Sequence, residues 1–127
     1  MTSKADPAAV DSVRSIGKVL GEDVTEGTWE GTTEVQNELV MDVGGNSAQD
    51  ALSRAEHLLA GRGWEKVSKS PEWLIMKSIE WSDVYVSVNT YNHLNVGIYS
   101  EKIVKVIEGI GTGLENILFI CVDPGPK

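Results

Sequence analysis

The chain has 127 residues, 41% of them hydrophobic and 24% charged, enough for a single core and unlike either a disordered chain or a membrane protein. Eleven Lys and Arg stand against nineteen Asp and Glu, a formal charge of −8 that repels a polyphosphate backbone and excludes nucleic acid as an expected partner. The longest apolar run, Ile117 to Val122, is far short of the ~20 residues a spanning helix needs, so no transmembrane segment is expected.

A single domain over 1–127 is expected, with an N-terminal helix and acidic loop over 1–32 and a sheet-and-helix core over 33–127. Asp6 before Pro7 supplies a helix start, and Ala9, Val13, Ile16 and Leu20 repeat at helical spacing, which predicts a first helix over about 7–20 ended by Gly21. Residues 21–32, with Gly21, Gly27 and Gly31, read as loop or a short edge strand that Trp29 would tie down. From 33 to 43 apolar and polar residues alternate. Val35, Leu39, Met41 and Val43 take one side and Glu34, Gln36, Glu38 and Asp42 the other, which predicts a strand.

Gly44-Gly45 closes that strand, Ser47 with Asp50 resembles a capping box, and Ala48, Ala51, Leu52, Ala55, Leu58 and Leu59 predict a second helix over 47–60. Short runs rich in β-branched and aromatic residues follow at 64–69, 72–80, 84–91 and 94–99, broken by Ser70-Pro71, Ser82-Asp83 and Asn92-His93. They predict an antiparallel meander, with Val84, Val86 and Val88 on a helix-covered face and Tyr85, Ser87, Asn89 and Tyr91 on a polar one. Over 101–116 helical spacing of Ile103, Val106, Ile107 and Ile110 competes with β-branched content, and a short helix is favoured. The run 117–122 reads as a buried strand ended by Asp123-Pro124-Gly125-Pro126.

The charge is uneven. Glu22, Glu26, Glu30, Glu34, Glu38 and Asp42 recur every four residues, and no Lys or Arg lies between the first and the last. On a helix these would stack and repel by ~0.2–0.5 kcal/mol per pair. A strand is the better host, and projected outward it would make an acidic front.

No motif for catalysis or cofactor binding emerges. Gly109, Gly111 and Gly113 miss the dinucleotide spacing because Leu114 stands where the last glycine belongs, so a turn or cap role fits them. One cysteine and two histidines 36 residues apart give no zinc set, and Asp42, Asn46 and Asp50 do not reproduce a calcium loop. No metal and no cofactor is therefore expected. Cys121, the lone cysteine, reads as a buried inert thiol, and a dyad with His57 or His93 is disfavoured. Residues 1–20 lack the basic start and apolar stretch of a secretory signal, which fits a cytoplasmic or an already processed chain.

The aromatic residues gather in the strand-rich half. Trp64 and Trp73 read as core packing, while Trp81 and Asp83 at one turn and Tyr91 and His93 at the next read as exposed. A helix ending in Gly63-Trp64, a strand with Met76-Lys77-Ser78 leading to Trp81, and a terminal apolar strand with Cys121 followed by Asp123-Pro124-Gly125-Pro126 together resemble small actinobacterial envelope or lipoprotein domains of unknown function. That resemblance covers roughly the last 80 residues and implies an α+β domain with no known catalytic residue.

The expected fold is α+β, a mainly antiparallel four- to six-stranded sheet with two or three helices on one face. The expected function is non-catalytic recognition of a basic protein partner, for instance by an inhibitor or immunity-type protein. Glu34, Glu38 and Asp42 would steer the partner, and Trp81, Asp83, Tyr91 and His93 would supply contacts. Charge reversal of Glu34 and Glu38 is then expected to leave stability nearly intact. Two alternatives stand beside it. One is a ligand-binding or enzymatic pocket between sheet and helices using His93 and Asp83. The other is a structural module that assembles as a homo-oligomer.

Overall fold

The structure is a computed structural model that describes residues 2–91, 100–111 and 113–124. It is an α+β domain: a seven-stranded open sheet, antiparallel but for one pairing, with three helices. In chain order these are β1 (Thr2–Lys4), α1 (Pro7–Arg14), β2 (Lys18–Trp29), β3 (Thr32–Asp42), α2 (Ala48–Ala60), β4 (Trp64–Lys69), β5 (Trp73–Ser78), β6 (Tyr85–Thr90), α3 (Glu101–Ile110), a 3₁₀ turn at Leu114–Asn116, and β7 (Ile117–Asp123). The expected strand over 94–99 and the docking of the Trp29 side chain lie outside the described residues.

Strand β3 organises the sheet. Its whole length pairs antiparallel with β2, while its other edge is shared between β1, parallel at Thr33 to Val35, and β7, antiparallel from Asn37 to Asp42. From β7 the sheet runs on through β6 and β5 to β4. The uninterrupted apolar run 117–122 thus becomes an interior strand, buried on both faces at its start.

Each face has its own core. On one face Leu39, Met41, Leu74, Met76, Val86, Val88, Leu118 and Ile120 pack with Val10 and Val13 of α1 and Leu52 and Leu59 of α2. Trp64, 2% exposed, sits in this core and its Nε1 donates to the Ser12 hydroxyl at 3.1 Å, tying β4 to α1. On the other face Val40, Ile117 and Phe119 are covered by Ile103 and Ile107 of α3. Two helices therefore share a face as expected, and the third crosses the opposite one. The sheet also has one strand more than the upper bound read from the sequence.

The helix caps follow the sequence: Asp6 accepts from Ala8 N–H, Ser47 from Asp50 N–H, and Ser100 from Ile103 N–H. The first helix, however, stops at Arg14, well before the predicted residue 20. Gly17 explains the early stop. A Cβ there would lie 2.5 Å from the Asp42 carbonyl oxygen, so the chain passes too close to the end of β3 to continue as a helix. Ile16 joins the α1/α2 core and Leu20, at helical spacing from it, packs instead on the α3 side. Residues 21–32, read as loop or a short edge strand, belong for the most part to the twelve-residue edge strand Lys18–Trp29, turned into β3 by Glu30 and Gly31 at φ 48° and 78°.

Candidate functional site

Helix α3 covers one end of its sheet face, where a Cβ on Gly21 would lie 2.5 Å from Val106. The other end is open. There a groove of about 490 Å³ runs across four strands, lined by Glu34 of β3, Cys121 and Asp123 of β7, Tyr85 and Ser87 of β6, and Ile75 of β5. Strand register creates it. Cys121 lies opposite Glu38 on one side and Ser87 on the other, and Ile75 lies opposite Ser87; Asp123 lies opposite Tyr85. Alternate residues of each strand thus point to this face, with Ile75, Tyr85 and Cys121 as an apolar floor and Glu34 and Asp123 as acidic groups on one side. Gln36 Nε2 donates to Asp123 Oδ2 at 2.9 Å and orients that carboxylate.

The electrostatics are one-sided. Among the described residues no Lys or Arg lines the groove and Glu34 makes no ion pair. Lys77, beside Tyr85 in the sheet, is paired with Glu65 at 3.2 Å. Burial pushes the Cys121 thiol up to about 12, aided by the negative charges of Asp123 and Glu38. It stays protonated near neutral pH and is a poor nucleophile.

Beside the floor Glu38 is only 5% exposed. Burial raises its pKa and the charge of Asp23, its cross-strand partner, adds to the rise, while a hydrogen bond from the Ser100 backbone opposes both. Among the described residues Glu38 Oε1 has no hydrogen-bond partner. Asp23 goes the other way, held low by the Ser100 hydroxyl, the Val24 N–H and Lys102. Ser100, the cap of α3, therefore joins both carboxylates to that helix.

These positions correct the outward acidic front. Glu38 is enclosed, so a lysine there would bury an ammonium group, and charge reversal at this position cannot leave stability intact. Glu22 faces α1 and pairs with Arg14 at 2.9 Å. Asp42, at the far end of β3 from Glu34, accepts the Gly44 N–H at 2.9 Å. Of the row only Glu34 lines the groove.

The other expected contact residues are dispersed. Trp81 is half-buried on the α1/α2 core, its ring 6.5 Å from that of Trp64. Asp83 is exposed at φ 64° in the β5–β6 turn and does not line the groove. Tyr91 is 43% exposed, with its ring 6.3 Å from that of Phe119. His93 lies outside the described residues, and His57 is exposed on α2. Among the described residues no group of three His, Cys, Asp or Glu side chains could hold a metal, and no helix is long and apolar enough to cross a membrane.

Fold and site together define an α+β domain with helices on both faces of its sheet and an acidic groove on the uncovered half of one face. No family model, curated protein or solved structure matches the chain.

Proposed function

We propose that this domain is a non-catalytic protein-recognition module that takes a Lys- or Arg-bearing segment of a basic partner into the groove, as an inhibitor or immunity-type protein would. The observation that carries this reading is an apolar floor beside carboxylates, with no Lys or Arg among the described lining residues. A Lys or Arg side chain has the matching anatomy. Its alkyl stem suits Ile75, Tyr85 and Cys121, and its charged head suits Glu34 and Asp123. The protonated thiol of Cys121 favours binding over chemistry. A chain of net charge −8 would also draw a cationic partner in from a distance.

The test is fluorescence anisotropy with a labelled arginine-rich peptide at about 20 and about 150 mM salt. Affinity should fall steeply with salt. It should also fall by about tenfold or more in the Glu34→Gln, Asp123→Asn double variant, the loss of one or two charge-assisted contacts. Binding indifferent to both salt and variant refutes the reading.

A further inference from the structure

The proposed groove leaves one feature of the sheet unused, the outer edge of β2. We propose that this edge accepts an extended Lys- or Arg-bearing strand of the partner, lengthening the sheet by one strand. The proposal rests on the reading of a basic partner but not on the groove.

Among the described residues β2 pairs with β3 alone, over its full length. The hairpin turns through two residues, Glu30 and Gly31, so Trp29 and Thr32 form the closing, hydrogen-bonded pair. Hydrogen-bonded pairs then alternate along an antiparallel ladder. Gly27, Thr25 and Asp23 bond inward to β3, while Thr28, Glu26, Val24 and Glu22 turn their N–H and C=O groups outward. Val24 bears this out, because its N–H goes to the Asp23 carboxylate at 2.8 Å rather than to β3.

Native sheets guard their edges with lysines, prolines, bulges or short strands. The opposite edge of this sheet follows the rule: β4 carries Lys66 and Lys69 and an irregularity between Lys66 and Ser68. Strand β2 does not. Its one irregularity lies between Val19 and Gly21, and from there to Trp29 it has no Lys, Arg or Pro. What it has is Glu22, Asp23 and Glu26, with Glu30 at the turn. Arg14 neutralises Glu22 and Lys102 partly offsets Asp23, while Glu26 and Glu30 keep the edge negative.

That charge selects the occupant. Two copies set edge to edge would bring like charges together across the new ladder, which is destabilising, whereas a cationic strand would meet opposite charges along it. Backbone groups give the affinity in such strand addition and alternate side chains give the preference. An incoming carbonyl would take over the Val24 N–H from the half-buried Asp23 carboxylate, which keeps its bond from the Ser100 hydroxyl.

The experiment is residue-resolved amide hydrogen exchange by NMR on the full chain with a short peptide of alternating Val and Lys. Exchange should slow by about tenfold or more at Glu22, Val24, Glu26 and Thr28 and stay unchanged at Asp23, Thr25 and Gly27, which already bond to β3. The same peptide N-methylated at alternate residues, unable to bridge the edge, should give no slowing. Three results overturn the proposal: no slowing, slowing equal at both sets, or slowing that follows protein concentration without peptide and so reports a second copy. The Glu34→Gln, Asp123→Asn variant separates the two surfaces. It should keep the edge protection while losing groove binding, and groove binding without edge protection sinks the strand-addition proposal alone.

Discussion

Replacing Glu38 by Gln should stabilise the protein at neutral pH, although a charged residue is lost from an acidic β strand. Among the described residues Glu38 Oε1 has no hydrogen-bond partner, the side chain is 5% exposed, and Asp23 repels it from β2. Its folded pKa is raised, first by burial and then by that repulsion. A group raised in this way contributes its stability below its unfolded pKa and loses it as pH rises through the folded value. At neutral pH the ionised form therefore opposes folding. Leaving a buried polar group unsatisfied costs about 1–3 kcal/mol. The cost is higher for a charged group, and the uncharged amide relieves only part of it, so the lower half of that range is expected. The amide keeps the acceptor for the Ser100 backbone and removes the repulsion from Asp23. Glu38→Gln should gain about 1–2 kcal/mol at pH 7, or roughly 3–8 °C in Tm for a domain of this size. The assay is thermal unfolding by circular dichroism in steps from pH 7 to below the ordinary Glu value of ~4.3, where the gain should vanish. A variant less stable than the parent at pH 7, or a gap that does not change with pH, would refute the reasoning.

Two further substitutions or treatments probe other parts of the frame. Gly21→Ala puts a Cβ 2.5 Å from Val106 Cγ2 and should cost about 1–3 kcal/mol in chemical denaturation, with Val106→Ala in the same chain recovering most of it. Additive losses would mean that α3 does not rest on β2 at this point. The Cys121 thiol, pushed up to about 12 from an ordinary 9.0, should react with iodoacetamide at pH 8 about a thousandfold more slowly in the folded protein than in urea. Comparable rates in the two states would contradict its burial between Glu38 and Ser87.

How much of this was legible in the sequence depends on whether the signal is local. Helix α2 announces itself through Ser47 and a six-residue apolar stripe, and β3 through strict alternation. Helix α1 does not, since Ile16 and Leu20 continue its spacing and only the close passage of Gly17 against Asp42 ends it. Strand β2 was obscured by its glycines, one of which makes room for α3. Apart from Glu30 in the turn the acidic repeat does lie on strands, but a four-residue period spread over two antiparallel strands does not mark one face, so Glu22 and Glu34 end on opposite sides. The groove was least legible, because it joins residues from four strands and its shape depends on register. Alternation over 84–91 had set Tyr85 and Ser87 on the polar face, yet nothing local places Cys121 between Glu38 and Ser87. Uniformly apolar surroundings made that cysteine look like core.

Capture of a basic segment by the open half of the sheet is the central claim, and chemical-shift mapping of an arginine-rich peptide on the isotopically labelled protein tests it most directly. Saturable shifts are expected at the amides of Glu34, Ile75, Tyr85, Ser87, Cys121 and Asp123, suppressed by added salt and absent in the Glu34→Gln, Asp123→Asn variant. Shifts confined to the opposite face, around α2 and β4, or a groove that stays silent at saturating peptide, would contradict it.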